Sequence, residues 1–308
     1  MRMLVRGSVA WLGPGTLLDD PAIVCDGTRI VWVGKAREAP EADAELSGPW
    51  FLLPGVTDHH VHLGLSDPRR VIRGGVTAVR DLGWPPRDIF PVVDISEGTD
   101  FDGPEVSAAG AMLTAPGGYP SRADWAPPGT AREVAGAEEA AAAVTELADG
   151  GASVIKVAMN AEVGPTPSDA DLVAICEAAS SRGLEVTAHV QGSGQAERAL
   201  GAGVRELAHS PWTERLSGAL VEGLARSVRI VSTLDIHSYG RATPELEVAV
   251  DNLRRFGSAG GLVRYGTDLG NGPIPAGLHP GEAMHLASAG LSADRVLHVM
   301  ASGRLRSG

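Results

Sequence analysis

The chain has 308 residues, 44% of them apolar and 21% charged, with a formal charge of −12. That length suits one large domain or two modest ones, and a single α/β barrel takes roughly 250 residues. The acidic balance disfavours nucleic acid and anionic membrane as partners, because phosphate recognition needs clustered Lys and Arg.

Cys25 and Cys176 are the two cysteines, and neither lies in a CxxC pair. Both are expected to be reduced and buried, with no disulfide framework. Met1 to Gly15 has no long apolar stretch, so no secretory signal is expected. Nor is there a run of about 18 apolar residues to span a membrane, which makes cytoplasmic the expected location.

Residues 1–50 read as short strands and turns. Ala22-Ile23-Val24-Cys25 and Arg29-Ile30-Val31-Trp32-Val33 flank Asp26-Gly27, a hairpin signal. This predicts a small N-terminal β module. From Phe51 the pattern alternates between strand and helix. Strands are predicted over 51–57, 76–81, 104–109, 153–158, 184–189, 204–208, 228–234 and 262–267. Helices are predicted over Ala137–Leu147, Ser168–Arg182 (with Ser168 as N-cap and Gly183 beyond the end), Gly192–Ala202, Thr213–Arg226 and Pro244–Phe256. Such alternation argues for parallel βαβ units closing into a (β/α)8 TIM barrel over residues 51–308, an α/β fold. A doubly wound open sheet is the runner-up, weakened by the absence of a Gly-rich phosphate loop after the first strand. Met112 to Arg132 is a long connection after the third strand. It is expected to lie over the C-terminal face as part of a substrate pocket or lid, the alternative being a surface insertion.

Chemistry-bearing residues fall toward the strand ends. In Asp58-His59-His60-Val61-His62, His60 and His62 are two apart, so on a strand both imidazoles share a face and point into the barrel. His59 has the opposite parity and should point toward the surrounding helices. Lys156 is read as ending an apolar strand, where burial disfavours its charge. It can serve as a Schiff-base nucleophile, pair with a buried carboxylate, or be carboxylated by CO2 to bridge two metals. The company of His189, His209 and Asp268 favours the bridging role. Asp268 can ligate a metal and accept a proton from attacking water, or else cap the next segment. Nitrogen and oxygen donors converging at one barrel end are what a hydrolytic metal site needs.

These motifs, together with Gly75-Val76-Thr77-Ala78-Val79-Arg80-Asp81, Ile155-Lys156-Val157, Ala188-His189, Ala208-His209 and Gly266-Thr267-Asp268, resemble the amidohydrolase superfamily over roughly residues 45–300. The resemblance implies that His60, His62 and Asp268 hold one metal and that His189 and His209 hold a second, with carboxylated Lys156 between them. The branch it looks most like contains prolidase-type dipeptidases and imidazolonepropionases. Imidazolonepropionases lack the bridging Lys, so Lys156 points to the binuclear side. Deaminases of the superfamily carry His-x-x-Glu after strand five, whereas His189 here precedes Val190, Gln191 and Gly192. Ring-opening, dihydroorotase-like activity stays open. Family members also return after the barrel to add strands to the N-terminal module, and this chain stops at Arg304-Leu305-Arg306-Ser307-Gly308. The module is therefore expected to lack its C-terminal strands.

The implied function is a metal-dependent hydrolase that cleaves a C–N bond (amide, peptide or cyclic amide) with a metal-activated hydroxide. Two divalent ions are expected, zinc by default, with manganese, cobalt, nickel and iron compatible. Asp268 is the expected catalytic proton acceptor. Tyr119, His237, Tyr239 and Arg241 are candidate contacts to a small-molecule substrate, while His279, His285 and His298 are expected to be surface or core residues. The rival readings are a metal-dependent lyase, isomerase or decarboxylase, a Schiff-base lyase using Lys156, and a binding protein. A homo-oligomer is left open.

Overall fold

A computed structural model describes residues 1–301. The chain end at Arg304–Gly308 lies outside the described residues. The chain divides into two units, Met1–Gly55 and Val56–Gly308.

The first unit is all β. Arg29–Lys35, Pro21–Asp26, Arg2–Arg6 and Ala44–Ser47 form one sheet in that order, and Thr16–Asp19, Val9–Gly13 and Phe51–Leu52 form another. The Asp26-Gly27 hairpin is present: Pro21–Asp26 runs antiparallel to Arg29–Lys35, and Gly27 takes φ +58°, which suits a residue without Cβ.

The strand predicted over 51–57 is two elements. Phe51–Leu52 pairs with Val9 and Ala10 of the small unit, and the first strand of the large unit is Val56–Val61. Pro54 and Gly55 separate them, because Pro has no N–H for a ladder and fixes φ.

In the second unit, Val56–Val61, Val76–Asp81 and Glu105–Ala108 form a parallel three-stranded sheet. A parallel seven-stranded sheet runs in the order Ala131–Glu133, Met112–Thr114, Ile155–Asn160, Val186–Gln191, Glu206–Leu207, Arg229–Val231 and Leu262–Arg264. Backbone bonds join elements beyond these ladders. Ser153 N–H donates to Ala108 O at 2.9 Å, Asp268 N–H to His60 O at 2.8 Å, and His62 N–H to Leu269 O at 2.7 Å. The last two lay segment 265–269 alongside the first strand, which places Asp268 beside the His60/His62 pair. All residues of Val56–Val61 and Ile155–Asn160 are buried, as expected of parallel strands covered on both faces.

Helices fill the crossovers for local reasons. Ala137–Asp149 buries Ala140, Ala143, Val144 and Leu147, an i, i+3, i+4, i+7 stripe. Asp169–Ser181 opens on a capping box: the Ser168 hydroxyl accepts from Asp171 N–H at 3.1 Å, and the Asp171 carboxylate accepts from Ser168 N–H at 3.2 Å. Two helices start later than predicted. Gly192 and Gly194 take φ of +97° and +76°, which delays one start to Gln195. Ser217 caps the other at Gly218 by accepting from Leu220 N–H. Cys25 and Cys176 are free, as expected, but only half-buried.

Candidate metal centre

His60, His62 and Asp268 form a buried cluster whose potential donor atoms all lie within 4.8 Å of one another. Asp268 Oδ1 is 3.1 Å from His60 Nε2 and 3.2 Å from His62 Nε2. Two further imidazoles adjoin it: the His209 ring centroid is 4.5 Å from that of His60 and 4.8 Å from that of His189. Lys156 is 1% exposed, and its Nζ has no hydrogen-bond partner.

The backbone decides which ring nitrogen faces inward. His60 Nδ1 is 2.8 Å from Ala208 O and His62 Nδ1 is 3.1 Å from Gly83 O. A carbonyl can only accept, so each Nδ1 carries the proton and each Nε2 presents its lone pair. His209 Nδ1 is 2.8 Å from Thr233 Oγ1. His189 does the reverse, placing Nε2 3.2 Å from Gln191 Oε1 and leaving Nδ1 to the cluster. His60 Nε2, Asp268 Oδ1 and Lys156 Nζ are all buried without a hydrogen-bond partner. Unsatisfied buried polar atoms that converge, with their opposite faces tied, fit a divalent ion.

Electrostatics agree with that fit. Burial, followed by the Lys156 charge, pushes His60 well below its ordinary pKa and lowers His189 to about 3. Burial and neighbouring His60 likewise depress His209. Burial pulls His62 down as well, but the Asp268 carboxylate outweighs it and leaves His62 raised. Burial alone would raise Asp268, yet His60 and His62 hold it well below the usual carboxylate range. Burial lowers Lys156 to about 7. An ionised Asp268 and neutral imidazoles at His60, His189 and His209 are the protonation states that metal binding requires, whereas His62, raised by Asp268, has to release its proton when a metal binds. Asp268 and Thr233, each beside the cluster, have φ of +57° and +40°. Non-glycine residues held in this left-handed region store strain of a kind that collects at functional sites.

Other charged groups brace the ligands. The Asp58 carboxylate accepts from the Thr267 hydroxyl at 2.6 Å, from Thr267 N–H at 3.1 Å and from His60 N–H at 3.0 Å. Asp81 accepts from Leu63 N–H at 2.7 Å and Gly83 N–H at 3.0 Å, fixing the carbonyl that orients His62. Glu206 pairs with Arg80 and, at 3.1 Å, with Arg264. His59 adds to the charges that hold Glu206 ionised.

The cluster floors a cavity of about 470 Å3, which Tyr119 and His237 also line. The other two substrate candidates fall outside it. Tyr239 is 43% exposed and does not line the cavity itself, though its hydroxyl donates to the lining residue Asn271 at 3.2 Å. Arg241 is exposed and does not line the cavity; its N–H closes a turn on Ser238 O at 3.0 Å. Of the late histidines, His279 and His285 are set away from the cluster on Asp235.

Trp125, Asn160, Gln191 and Trp212 line the cavity and were not singled out from the sequence. Asn160 and Gln191 were within reach of the parity rule applied to His60 and His62. Each shares the strand face of Lys156 or His189 at a spacing of four or two residues. Lys156 does not end its strand, which continues to Asn160.

No family model matches the chain. Over 62 residues, 19% of the chain, it is 42% identical to imidazolonepropionase of Streptomyces griseus, a match covering 16% of that protein. The chain thus spans under a fifth of the length of this curated relative. In structure it is similar to A. niger ochratoxinase, with a TM-score of 0.79 at 19% identity, covering 97% of this chain and 82% of that one. A solved amidohydrolase gives a TM-score of 0.78 at 22% identity, covering 97% and 85%. At such identities the structural likeness is one of fold. Together with the short sequence match, it bears out the resemblance to the amidohydrolase superfamily.

Proposed function

We propose that the chain is a metal-dependent hydrolase that cleaves the C–N bond of an amide, peptide or cyclic amide. Its strands would close into a (β/α)8 barrel along the seam between Val56–Val61 and segment 265–269. His60, His62 and Asp268 would hold one divalent ion and His189 and His209 a second, zinc being the default for this donor set. The observation that carries this reading is the freed donor set: unpartnered His60 Nε2, Asp268 Oδ1 and Lys156 Nζ buried together, with each imidazole tied on its other face. When bound, such ions polarise the scissile carbonyl and lower the pKa of the attacking water.

The chain's own groups do the rest. Burial lowers Lys156 to about 7, so a substantial fraction is neutral amine near neutral pH. A neutral amine adds to CO2, forming an N–C bond and losing a proton, and the carbamate anion replaces a costly buried cation with an oxygen ligand. Asp268, kept ionised by the imidazoles around it, accepts the proton of the attacking water and passes it to the leaving nitrogen. The depressed Lys156 amine alone would also suit a Schiff base. That reading leaves the orientation of four imidazoles without a use.

The test is hydrolysis of a panel of N-acyl amides by protein as purified, after chelation, and after reloading with zinc or manganese. Loss on chelation and recovery on reloading is expected. Turnover unchanged by chelation would overturn the metal-dependent reading.

A further inference from the structure

The cavity above the metal centre has its own chemical character, which narrows the substrate. Three aromatic side chains surround the imidazole cluster. The Trp125 ring centroid lies 4.9 Å from His62, Trp212 lies 5.6 Å from His189 and 5.5 Å from His209, and Tyr119 lies 5.4 Å from His189. Trp212 continues outward to His237, centroid to centroid 4.6 Å. Aromatic faces take planar apolar groups and repel anions, because the face of the ring carries negative potential.

The neutral amides of the lining are each held in place by hydrogen bonds to other protein groups. Asn160 accepts from Glu162 N–H at 3.2 Å and donates to Gln191 Oε1 at 2.7 Å. Gln191 in turn donates to the Glu162 carboxylate at 2.8 Å. Asn271 donates to Asp268 Oδ2 at 2.9 Å and accepts from the Tyr239 hydroxyl at 3.2 Å. Two further polar groups away from the ligand set can meet a substrate directly. One is His237 Nε2, buried without a partner. The other is the Tyr119 O–H, whose oxygen takes a hydrogen bond from Trp125 and whose proton is free to be donated.

Among the described residues the lining contains no Arg, and its one Lys is Lys156 of the metal centre. A substrate carboxylate seated among the aromatic rings, away from the metal centre, would therefore have no side-chain cation to pair with. It would also approach the Glu162 carboxylate that holds Gln191. Burying an unpaired anion is costly.

We propose that the substrate is a neutral amide or cyclic amide carrying an aromatic or other planar apolar group and no free carboxylate, with the planar group against Trp212 and Trp125 and its polar substituent on His237 or Tyr119. The volume suits one ring system and its amide, within the range of small-molecule sites. This inference rests on the hydrolase reading for the scissile bond, but its recognition half can be read without turnover.

The experiment uses the metal-loaded full chain and a matched pair of probes, 4-acetamidobenzamide and 4-acetamidobenzoate, which differ only in carboxamide against carboxylate. Binding is read by quenching of tryptophan fluorescence and turnover by release of the free arylamine. The carboxamide is expected to bind at least about tenfold more tightly than the carboxylate, as an unpaired buried charge demands. Trp212→Leu should weaken carboxamide binding by about tenfold while metal content is kept. Val163→Arg, at an exposed position of the lining, should bring the carboxylate probe up toward the carboxamide. Equal or tighter binding of the carboxylate to the unaltered chain, or binding of neither probe, would overturn the inference. Tight carboxamide binding with no arylamine release would sustain the recognition half and count against the hydrolase reading.

Discussion

The Thr267 hydroxyl donates a 2.6 Å hydrogen bond to the Asp58 carboxylate, which also accepts from His60 N–H. One carboxylate therefore fixes both the strand that presents His60 and the turn that presents Asp268, residues far apart in sequence. Thr267→Val removes the hydroxyl bond at nearly constant volume. It should weaken metal retention by about 10–100-fold, the usual effect of losing a group that orients a ligand. Competition against a chromogenic chelator measures this. Unchanged retention would mean that the Asp58–Thr267 bond does not set ligand geometry.

Lys156 is a distinct case, since its amine is buried and unpartnered. Lys156→Met keeps an apolar chain of similar length and removes the buried nitrogen. Metal content should fall from near two ions to about one per chain, while with both chains stripped of metal the melting temperature should be equal to or above that of the parent, because removing an unsatisfied buried group seldom destabilises. Borohydride with carbonyl compounds should leave no adduct on Lys156 in the parent chain. A trapped adduct would favour the Schiff-base reading.

Glu206 predicts an acid limb in stability. Burial would raise its pKa, but Arg80, then Arg264, outweigh burial and bring it down to about 2. A carboxyl depressed on folding contributes stability above its ordinary value of 4.5, and that contribution is lost as pH falls toward about 2. Glu206→Gln should flatten this limb in urea titrations. It should also cost about 3–5 kcal/mol at neutral pH by leaving Arg80 buried opposite a neutral group. An acid limb of the same size in the variant would place the titrating group elsewhere.

Asp235 holds the turn that carries His237. It accepts from Ser238 Oγ at 2.7 Å and faces His279 Nε2 at 2.9 Å and His285 Nε2 at 3.0 Å. Asp235→Ala should destabilise the chain by about 1–3 kcal/mol. It should also raise KM for an amide substrate while metal content stays unchanged, because the turn lies beside the cavity and not among the ligands. Loss of metal with the substitution would tie this network to the ligand set.

Much of the centre was legible because strand chemistry is local. The His-x-His parity of residues 60 and 62, and single donors at 156, 189, 209 and 268, need only a period of two and a parallel sheet to be brought together. What was not legible depends on packing across the sheet. Which nitrogen of His189 faces the cluster is decided by Gln191, and Trp125 reaches His62 from a segment whose path no periodicity specifies. Arg241 read as a substrate contact because it follows the seventh strand closely. The turn after Asp235–His237 carries it outside the cavity instead. The split of the 51–57 strand shows the same limit. The strand predicted over 51–57 runs across Pro54-Gly55, and it is the pairing with Val9 and Ala10 that shows Phe51–Leu52 to belong to the small unit.

The central claim is that His60, His62, Lys156, His189, His209 and Asp268 hold a pair of ions. Elemental analysis of metal per chain, on protein grown with and without added zinc, tests it most directly. Close to two divalent ions per chain, falling to about one in Lys156→Met, is the predicted result. No bound divalent metal under either growth condition would contradict the account.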